Sequence, residues 1–432
     1  MIWGRRDLVY RTEDGREKRY GDWNNDPNDL PRLLETVARE LRVKYRSEDL
    51  DLERFSFDPA EVPVLYFTGL KPISLEDAVR ARLRDYLAGG GLLLGVAHHG
   101  SAEFADSFRR EMALLFPERP FRLLPPDHPI YRAHRPLHRV DYSPGTRDRP
   151  EGAPHLEGLT IGCRAAAVLS PYDLCCTWDS DHLPEKFPGV RGGDAFTLGL
   201  DVLAYAIACH RLGQFYARTG LLELSDESAE RGDFVFAQAR HRGNSDPHPT
   251  ASANLLASLM KETSIGSRFR RKVVALTDPA LREYPFLYLT GHGEPGLDEA
   301  EVAGLRAFLQ GGGFLLADAC CGDLSFDAGF RRDLARAAPE AKLAPLPPDH
   351  PLFSSFYKVR EVGYTPAVRA AYPELKGPSF EGAQVGGALR VVYSRFDLGN
   401  GWEGEEHPFS LGLLPDDARR LGVNVVLYSM TN

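Results

Sequence analysis

The chain has 432 residues, of which 43% are apolar and 26% are charged, and its formal net charge is −9. This composition is typical of a soluble globular protein and argues against disorder or a coiled coil as the main class. An acidic chain has no overall attraction for nucleic acid or for an anionic membrane, so we expect neither as a partner. The length predicts two or three domains.

The cysteines indicate a reducing compartment. Four of the six form the adjacent pairs Cys175–Cys176 and Cys320–Cys321, and adjacent cysteines have poor geometry for a disulfide with each other. Six cysteines are also too few for a secreted disulfide scaffold of this size. Because the sequence has no run of 18 apolar residues and no apolar segment at its start, we expect no membrane span and no signal peptide. We therefore predict a cytoplasmic protein.

In the first half of the chain, continuous apolar runs predict buried strands, and apolar positions spaced three and four residues apart predict helices. The predicted strands are Val64–Thr68, Leu92–Val96 and Ala165–Ser170. The predicted helices are Leu75–Leu87 and Phe104–Leu115, and the apolar segment Asp201–Ala208 is a helix or a strand by periodicity alone.

The second half shows the same order of elements. The predicted strands are Val273–Leu276, Pro285–Thr290, Phe314–Ala317 and Gly387–Ser394, and the predicted helices are Asp298–Leu309 and Phe326–Ala337. The closing segment, Val423–Ser429, is again a helix or a strand. Apolar strands that alternate with helices predict a mainly parallel sheet with helices on both faces.

An internal repeat underlies this similarity. The segment Leu124–Pro129 recurs as Leu346–Pro351, at an offset of 222 residues, and the same offset relates Gly89–Gly91 to Gly311–Gly313. A period of this length indicates duplicated domains, because the units of a solenoid are shorter. Upstream of these segments, Asn24–Pro27 resembles Asn244–Pro247 at an offset of 220.

We therefore predict two copies of one α/β domain, residues 1–222 and 223–432, with a boundary near the polar stretch Glu223–Arg231. Two copies of one domain in tandem also predict an intramolecular pseudo-dimer.

The loops after the strands are the predicted ligand sites, because open parallel sheets bind ligands beyond the carboxyl ends of their strands. In the second copy these loops contain Thr290, Gly291, His292, Gly293, Cys320, Cys321 and Gly322. At the corresponding place the first copy has His98 and His99 instead of the two cysteines.

Cys320 is a candidate nucleophile, because a cysteine between a strand and a helix N-terminus has a lowered thiol pKa. Such a cysteine needs a base within hydrogen-bonding distance, and the candidates are His292, His350 and His407. The alternative is that the cysteines are buried at the strand end for packing, as small cysteine side chains often are.

The Asp-His-Pro motif occurs in both copies, as Asp127-His128 and Asp349-His350 before a proline. An aspartate can orient a histidine as a general base. Alternatively, Pro-Pro-Asp-His-Pro is a rigid loop in which the aspartate accepts backbone hydrogen bonds. This second interpretation is favoured, because both copies keep the motif although they differ at the cysteines.

Two further groups of residues admit alternatives. Asp397 and Trp402 either line a ligand crevice, where the indole stacks on a ligand, or contribute to packing. His98, His99, Cys175 and Cys176 are all of the zinc-ligand type. Because these ligands are adjacent and not two to four residues apart, the sequence predicts no metal site and no cofactor.

Several motifs of the second copy resemble a bacterial family of unknown function, domain-of-unknown-function family 4159. These are Tyr288–Gly293, Gly311–Asp318, Leu346–Pro351 and Leu421–Tyr428. The first copy is a more diverged match.

The family in turn is similar to the class I glutamine amidotransferase-like fold, a flavodoxin-like three-layer αβα sandwich, and especially to its trehalose-utilisation branch. This resemblance places Cys320 at the position of the nucleophile in true amidotransferases, but the catalytic histidine pattern near the C-terminus is not matched.

Two functions of different class remain open. The first is a non-catalytic module that binds a small polar ligand or a protein partner at the strand ends. The alternative is a Cys320-dependent hydrolase or amidotransferase in the second copy, with His292 or His407 as the base.

Overall fold

The structure is a computed structural model that describes residues 7–11, 17–148, 152–219, 234–263, 269–405 and 407–431. Its chain forms two compact units, Met1–Arg218 and Thr219–Asn432, which are called the first and the second domain below. The predicted boundary stretch Glu223–Arg231 lies outside the described residues.

The first domain alternates strands and helices. Its elements in chain order are β1 (Asp7–Arg11), β2 (Glu17–Gly21), α1 (Asp29–Leu41), β3 (Val64–Gly69), α2 (Asp77–Ala88), β4 (Leu92–Ala97), α3 (Ala102–Leu115), β5 (Arg122–Leu123), β6 (Glu157–Ile161), β7 (Arg164–Ser170), α4 (Cys175–Ser180) and α5 (Gly192–Thr219). Strands β3, β4 and β7 are parallel, whereas β6 and β5 continue the sheet in antiparallel pairs. Strands β1 and β2 pair with each other.

The described elements of the second domain differ from those of the first at their start and include one helix more. They are β8 (Phe234–Arg240), α6 (Ala251–Glu262), β9 (Phe269–Ala275), β10 (Phe286–Gly291), α7 (Glu299–Gln310), β11 (Phe314–Ala319), α8 (Leu324–Ala337), β12 (Ala344–Pro345), α9 (Pro366–Ala371), β13 (Phe380–Val385), β14 (Ala388–Ser394), α10 (Gly399–Glu403) and α11 (Pro415–Thr431). The sheet order is β12-β13-β14-β11-β10-β8-β9, with parallel pairs from β14 to β9 and antiparallel pairs at the β12 edge.

Apolar side chains cover both faces of the second sheet. Phe286 and Phe314 face a core that includes Leu255 of α6 and Leu421 of α11. The neighbouring strand position Leu287 belongs to a second core with side chains of α7 and α8. Because successive strand residues point to opposite faces, each strand contributes to both cores. The predicted α/β class is therefore confirmed, with helices on both faces of a mostly parallel sheet.

Each predicted strand and helix has an observed counterpart, but the sequence did not predict the antiparallel strands β5, β6, β12 and β13 or the short helices α4, α9 and α10. The closing segments that periodicity left open are helical, since Asp201–Ala208 lies in α5 and Val423–Ser429 in α11. Helix α7 starts one residue later than predicted, because Asp298 caps it by accepting a hydrogen bond from the Glu301 N–H.

Within the described part of the chain, one helix is long and apolar enough to cross a membrane. This is the segment Gly192–Phe215 of α5, and 56% of its most apolar window is buried inside the structure. A core helix of a globular domain has the same properties, so this observation alone is weak evidence for a span.

A close approach in the second domain makes Gly304 sensitive to substitution. A Cβ atom at Gly304, in the middle of α7, would lie 1.9 Å from the backbone oxygen of Leu276. Alanine is normally the better helix residue by about 1 kcal/mol. Because a backbone carbonyl cannot rotate away, we expect Gly304→Ala nevertheless to lower the free energy of unfolding by about 2 kcal/mol. Urea unfolding of the full chain measures this.

The control for Gly304 lies next to it. Ala303 is exposed on the same helix, so Ala303→Val adds volume without a clash and should cost less than about 1 kcal/mol. Equal losses in the two variants would contradict the close approach at Gly304.

Candidate functional site

Strands β4 and β11 end in the same unusual turn. Each is followed by one short 3₁₀ turn, His98–Gly100 in the first domain and Cys320–Gly322 in the second. The middle residue of each turn has a left-handed backbone, with φ 53° at His99 and 54° at Cys321. This conformation is uncommon for residues other than glycine. The first residue of each turn, His98 or Cys320, is buried in the interior of its domain.

In the second domain, Cys320 belongs to a cluster with His248, Asp397 and Glu403, which we call the Cys320 cluster. His248 Nε2 lies 3.3 Å from Cys320 Sγ and 3.1 Å from Asp397 Oδ2. The other ring nitrogen, Nδ1, lies 3.0 Å from Glu403 Oε2. All four residues are buried. One imidazole therefore connects a thiol and two carboxylates.

The elements of the sheet explain why these residues meet. Cys320 follows β11, Asp397 follows β14 by three residues, and His248 lies in the loop between β8 and α6. The carboxyl ends of these parallel strands lie at one edge of the sheet. The cluster is thus at the strand ends, where the sequence predicted a site.

Backbone groups hold Asp397 in place. Its carboxylate accepts hydrogen bonds from the N–H groups of Cys321 and Asn400. A second carboxyl, Asp318, accepts a 2.7 Å hydrogen bond from the Tyr288 hydroxyl. Burial and the nearby charge of Asp397 raise the pKa of Asp318. The strand-end region of this domain therefore concentrates buried acidic groups.

In the first domain, the residues around His98 form a related group, Asp26, His98, Asp173, Cys175 and Cys176, which we call the His98 cluster. His98 Nδ1 lies 2.9 Å from Asp26 Oδ2, 3.4 Å from Cys175 Sγ and 3.9 Å from Cys176 Sγ. Asp173 Oδ2 also lies 3.9 Å from this nitrogen.

The ionisation of the His98 cluster reflects this crowding. Burial by itself would lower the pKa of His98, but the hydrogen bonds to Asp26 and Cys176 raise it to about 10. Burial would raise the pKa of Asp26, but His98 holds it below its usual range. The pKa of the Cys175 thiol is raised by burial and by its acidic neighbours. His98 and Asp26 thus form a buried ion pair.

Two of the three predicted catalytic residues, Cys320 and His292, lie near each other. Cys320 contacts His248, which was not among the predicted bases. A ring nitrogen of His292 lies within 4.8 Å of the thiols of both Cys320 and Cys321, and its Nδ1 lies 3.7 Å from Asp323 Oδ2. His407 is buried, and its Nδ1 accepts a hydrogen bond from the Phe409 N–H at 3.3 Å.

The predicted ligand-binding residues of the strand-end loops have backbone roles. The carbonyl of Thr290 lies 2.8 Å from His241 Nε2, and the N–H of Gly293 donates to Asp323 Oδ1. Gly322 has φ 72°, and Gly291 ends β10. These residues shape the loops next to the Cys320 cluster.

The remaining predicted residues fall into two groups. Next to the His98 cluster, the His99 ring stacks on Phe187 at 3.7 Å between ring centroids. In the Asp-His-Pro loops, Nδ1 of His128 and of His350 accepts a hydrogen bond from the N–H two residues later. Asp127 and Asp349 are exposed. These bonds cap a 3₁₀ turn in each copy, and the group that accepts them is the histidine and not, as predicted, the aspartate.

The tryptophans contribute to packing. Trp402 is 4% exposed and donates its indole N–H to the Ala418 carbonyl at 2.8 Å. It also forms part of the wall of a cavity of about 170 Å³, together with Asn254 and Arg419. The wall of that cavity contains none of the Cys320 cluster residues.

Sequence analysis missed His248, Glu403 and Asp26. The upstream repeat was aligned at an offset of 220, which pairs Asp26 with Asp246. The offset of 222 that relates the following segments, from β3 to the Asp-His-Pro loops, pairs Asp26 with His248, and these two residues do occupy corresponding places beside His98 and Cys320. A constant offset was the signal that would have found them.

The model of one protein family, described as a domain of unknown function (DUF4159), matches the chain twice, over residues 10–207 and 235–430. The search of curated proteins gives no match.

Proposed function

This chain belongs to the DUF4159 family in two tandem copies, and we propose that its second domain is a binding domain for a transition-metal ion of the zinc type. The ligands are His248 Nε2, Cys320 Sγ and Asp397 Oδ2. The observation that carries the proposal is the position of the His248 ring, whose Nε2 faces a thiol and a carboxylate while Nδ1 faces Glu403.

The distances fit tetrahedral coordination. Zinc bonds of about 2.0 Å to nitrogen or oxygen and about 2.3 Å to sulfur, at tetrahedral angles, place the nitrogen about 3.3 Å from an oxygen ligand and about 3.6 Å from a sulfur ligand. The observed separations from Nε2 are 3.1 Å to Asp397 and 3.3 Å to Cys320. The three ligand atoms all lie within 4.8 Å of one another. A small adjustment of side chains would admit the ion.

Glu403 supplies the second feature of a metal site. A metal-binding histidine usually donates its other ring N–H to a carboxylate, which fixes the tautomer and the ring orientation. Glu403 does this through Oε2 and is itself held by Thr250, which donates to Oε1 from its hydroxyl and its N–H. We assign Glu403 as a positioning residue and not as a ligand.

The hydrolase alternative uses the same atoms. The order Cys320, His248, Glu403 matches a thiol, its base and the carboxylate that orients the base, which favours it. Two observations oppose it. The Cys320 side chain is fully buried, so a carbonyl substrate has no approach to Sγ, and Asp397 competes with the thiol for the same imidazole nitrogen. Metal binding requires neither access for a large substrate nor a free base.

The similarity to the class I glutamine amidotransferase-like fold and its trehalose-utilisation branch stays a prediction. Its support is the position of Cys320 between β11 and α8. A cytoplasmic location, a small polar ligand or protein partner, and an intramolecular pseudo-dimer of the two copies likewise stay predictions.

The test is metal titration of the full chain after treatment with a chelator. We expect wild type to bind Zn²⁺ and Co²⁺ and His248→Ala to lose one equivalent, with an affinity at that site at least 100-fold lower. His350→Ala is the control, because the His350 ring caps a 3₁₀ turn of the same domain and belongs to none of the metal-ligand groups among the described residues, and this variant should keep the affinity of wild type within about 3-fold. A wild type that binds no metal, or a His248→Ala variant that keeps every equivalent, overturns the proposal.

Thiol labelling separates the two functions. For a metal site, Cys320 should react slowly with iodoacetamide at all pH values where the protein is folded. Selective labelling of Cys320 with an apparent pKa well below about 8.5, the ordinary thiol value, would favour the hydrolase instead.

Glu403→Gln tests the positioning role. A glutamine keeps the size of the side chain but weakens the hydrogen bond from Nδ1, so we expect a 10- to 100-fold loss of metal affinity. The number of equivalents bound at saturating metal should not change. An unchanged affinity would mean that Glu403 has only a structural role.

A further inference from the structure

The first domain contains the same kinds of side chain as the second, in a different arrangement. Around Cys320 and its turn lie imidazole, thiol and carboxylate groups, among them those of His248, Cys320, Cys321, Asp397 and Glu403. The His98 cluster offers the same three kinds of donor group, from His98, Cys175, Cys176, Asp26 and Asp173. Both sets lie at the strand ends of their own domain.

The individual positions have changed their chemistry. At an offset of 222 residues, Asp26 of the first domain corresponds to His248, and His98 corresponds to Cys320. The first domain therefore has a carboxylate where the second has an imidazole, and an imidazole where the second has a thiol. Its thiols come from α4 instead, which starts at Cys175.

Packing does not explain why the kinds of donor group are the same. An apolar interior accepts any side chains of suitable size, and it gains nothing from restoring a thiol at one position when it is lost at another. Metal coordination depends on the set of donor atoms and not on which strand supplies each of them. The repetition of these donor groups is what selection for coordination predicts.

We infer that the first domain holds a second transition-metal site, with Asp26 Oδ2, His98 Nδ1 and Cys175 Sγ as ligands and Cys176 Sγ as the fourth. This inference goes beyond the proposed function, because the two sites share no residue and each can fail alone.

The distances from His98 Nδ1 are consistent with this site. They are 2.9 Å to Asp26, 3.4 Å to Cys175 and 3.9 Å to Cys176, against about 3.3 Å and about 3.6 Å for oxygen and sulfur ligands of a tetrahedral zinc ion. The ligand atoms of Asp26, His98 and Cys175 lie within 4.8 Å of one another. The ion would occupy the space on the Nδ1 side of the ring.

Asp173 has a supporting place. Its Oδ1 lies 3.6 Å from Cys175 Sγ, and its Oδ2 lies 3.2 Å from Cys176 Sγ and accepts a hydrogen bond from the His99 N–H. Asp173 is fully buried and also accepts a hydrogen bond from the Cys176 N–H. It therefore fixes the turn and the helix that carry the ligands.

The donor set indicates the class of metal. Two thiols and an imidazole favour zinc and softer ions such as Cd²⁺, and they disfavour Mg²⁺ and Ca²⁺, which require oxygen ligands. On binding, the His98 imidazolium and the thiols lose their protons to water, so that a neutral imidazole and thiolates coordinate the ion. Two thiolates in the first domain and one in the second predict a stronger preference for Cd²⁺ in the first.

The experiment counts metal equivalents in the full chain. Wild type, His98→Ala, His248→Ala and the double variant are freed of metal with a chelator and titrated with Cd²⁺, and the ultraviolet thiolate-to-cadmium absorption is recorded with the metal content. We expect two equivalents for wild type, one for each single variant and none for the double variant. Mg²⁺ should not compete at a 1,000-fold excess.

The single variants distinguish the two proposals. If His98→Ala binds as many equivalents as wild type while His248→Ala loses one, the second-domain site stands and this inference is overturned. The opposite pattern overturns the proposed function alone.

Cys176→Ser is a second variant that tests the site if His98→Ala does not fold. It is a small change that leaves the buried His98–Asp26 pair intact, and it should weaken Cd²⁺ binding at the first-domain site at least 10-fold and reduce the thiolate absorption of that site by about half. Unchanged absorption and affinity in a folded Cys176→Ser variant would show that Cys176 is not a ligand. If His98→Ala and Cys176→Ser both bind as many equivalents of Cd²⁺ as wild type, the first-domain site does not exist.

Discussion

Replacing Trp178 by alanine is expected to lower the free energy of unfolding of the first domain by about 3–5 kcal/mol, the usual cost of removing a fully buried tryptophan. The side chain is completely buried, and its indole N–H donates to the Ala195 carbonyl at 2.9 Å. A Cβ atom at Gly199 would lie 2.6 Å from the ring, so α5 packs directly on it. The cavity that alanine leaves cannot be filled by α5 without moving the whole helix.

Two variants separate the causes of this loss. Trp178→Phe keeps an aromatic ring but leaves the Ala195 carbonyl without the indole donor, and it should cost about 1–3 kcal/mol. Trp402 has the same arrangement in the second domain, with its indole against Gly422, so Trp402→Ala should destabilise that domain to a similar extent. Urea unfolding measures all three. A Trp178→Ala variant as stable as wild type would show that the indole is dispensable for packing.

The second large effect concerns pH and Asp29. This residue starts α1, is buried, and accepts a 2.8 Å hydrogen bond from the Tyr66 hydroxyl. Burial raises the pKa of Asp29 from 3.8 to about 7. The folded state thus binds the proton more tightly than the unfolded state. The stability that Asp29 contributes is fully present below about pH 4 and is lost as the pH rises through about 7.

At 1.36 kcal/mol per pKa unit, this loss amounts to about 4 kcal/mol between pH 4 and pH 8. Asp29→Asn cannot ionise, so its stability relative to wild type should increase by about that amount over the same range. Urea unfolding at several pH values measures the difference. Asp77→Asn, at an exposed site on α2, is the control for the loss of a surface carboxyl. Parallel pH profiles for Asp29→Asn and wild type would contradict the raised pKa.

The sheet was predictable because its strands are buried on both faces. Val64–Phe67 and Phe314–Ala317 are continuous apolar runs, which are typical of a strand covered on both faces. Strand β8 was not predicted, although it is as apolar as the neighbouring strands. It follows the polar stretch Glu223–Arg231, which marks the predicted boundary between the two copies. For the closing segments the sequence did not decide between helix and strand. A buried segment such as Val423–Ser429 is mostly apolar and shows no helical period.

The site was less predictable, because its members are brought together by long-range contacts. Cys320 and Asp397 were identified from their places after strands. His248 precedes a helix, in a polar loop that shows no periodicity, and its partner Glu403 ends the short helix α10. Nothing in the local sequence of either residue indicates that it is buried. Only the contact between them, across 155 residues of chain, gives them a role.

The left-handed turn after β4 and β11 has a consequence for protein engineering. Its backbone is nearly the same at His99 and Cys321, although every side chain in the turn differs between the domains before the glycine. The fold therefore tolerates exchange of the donor atoms without redesign of the scaffold. Single substitutions, starting with Asp26→His and His98→Cys, can therefore convert the arrangement of side chains in one domain into that of the other one position at a time.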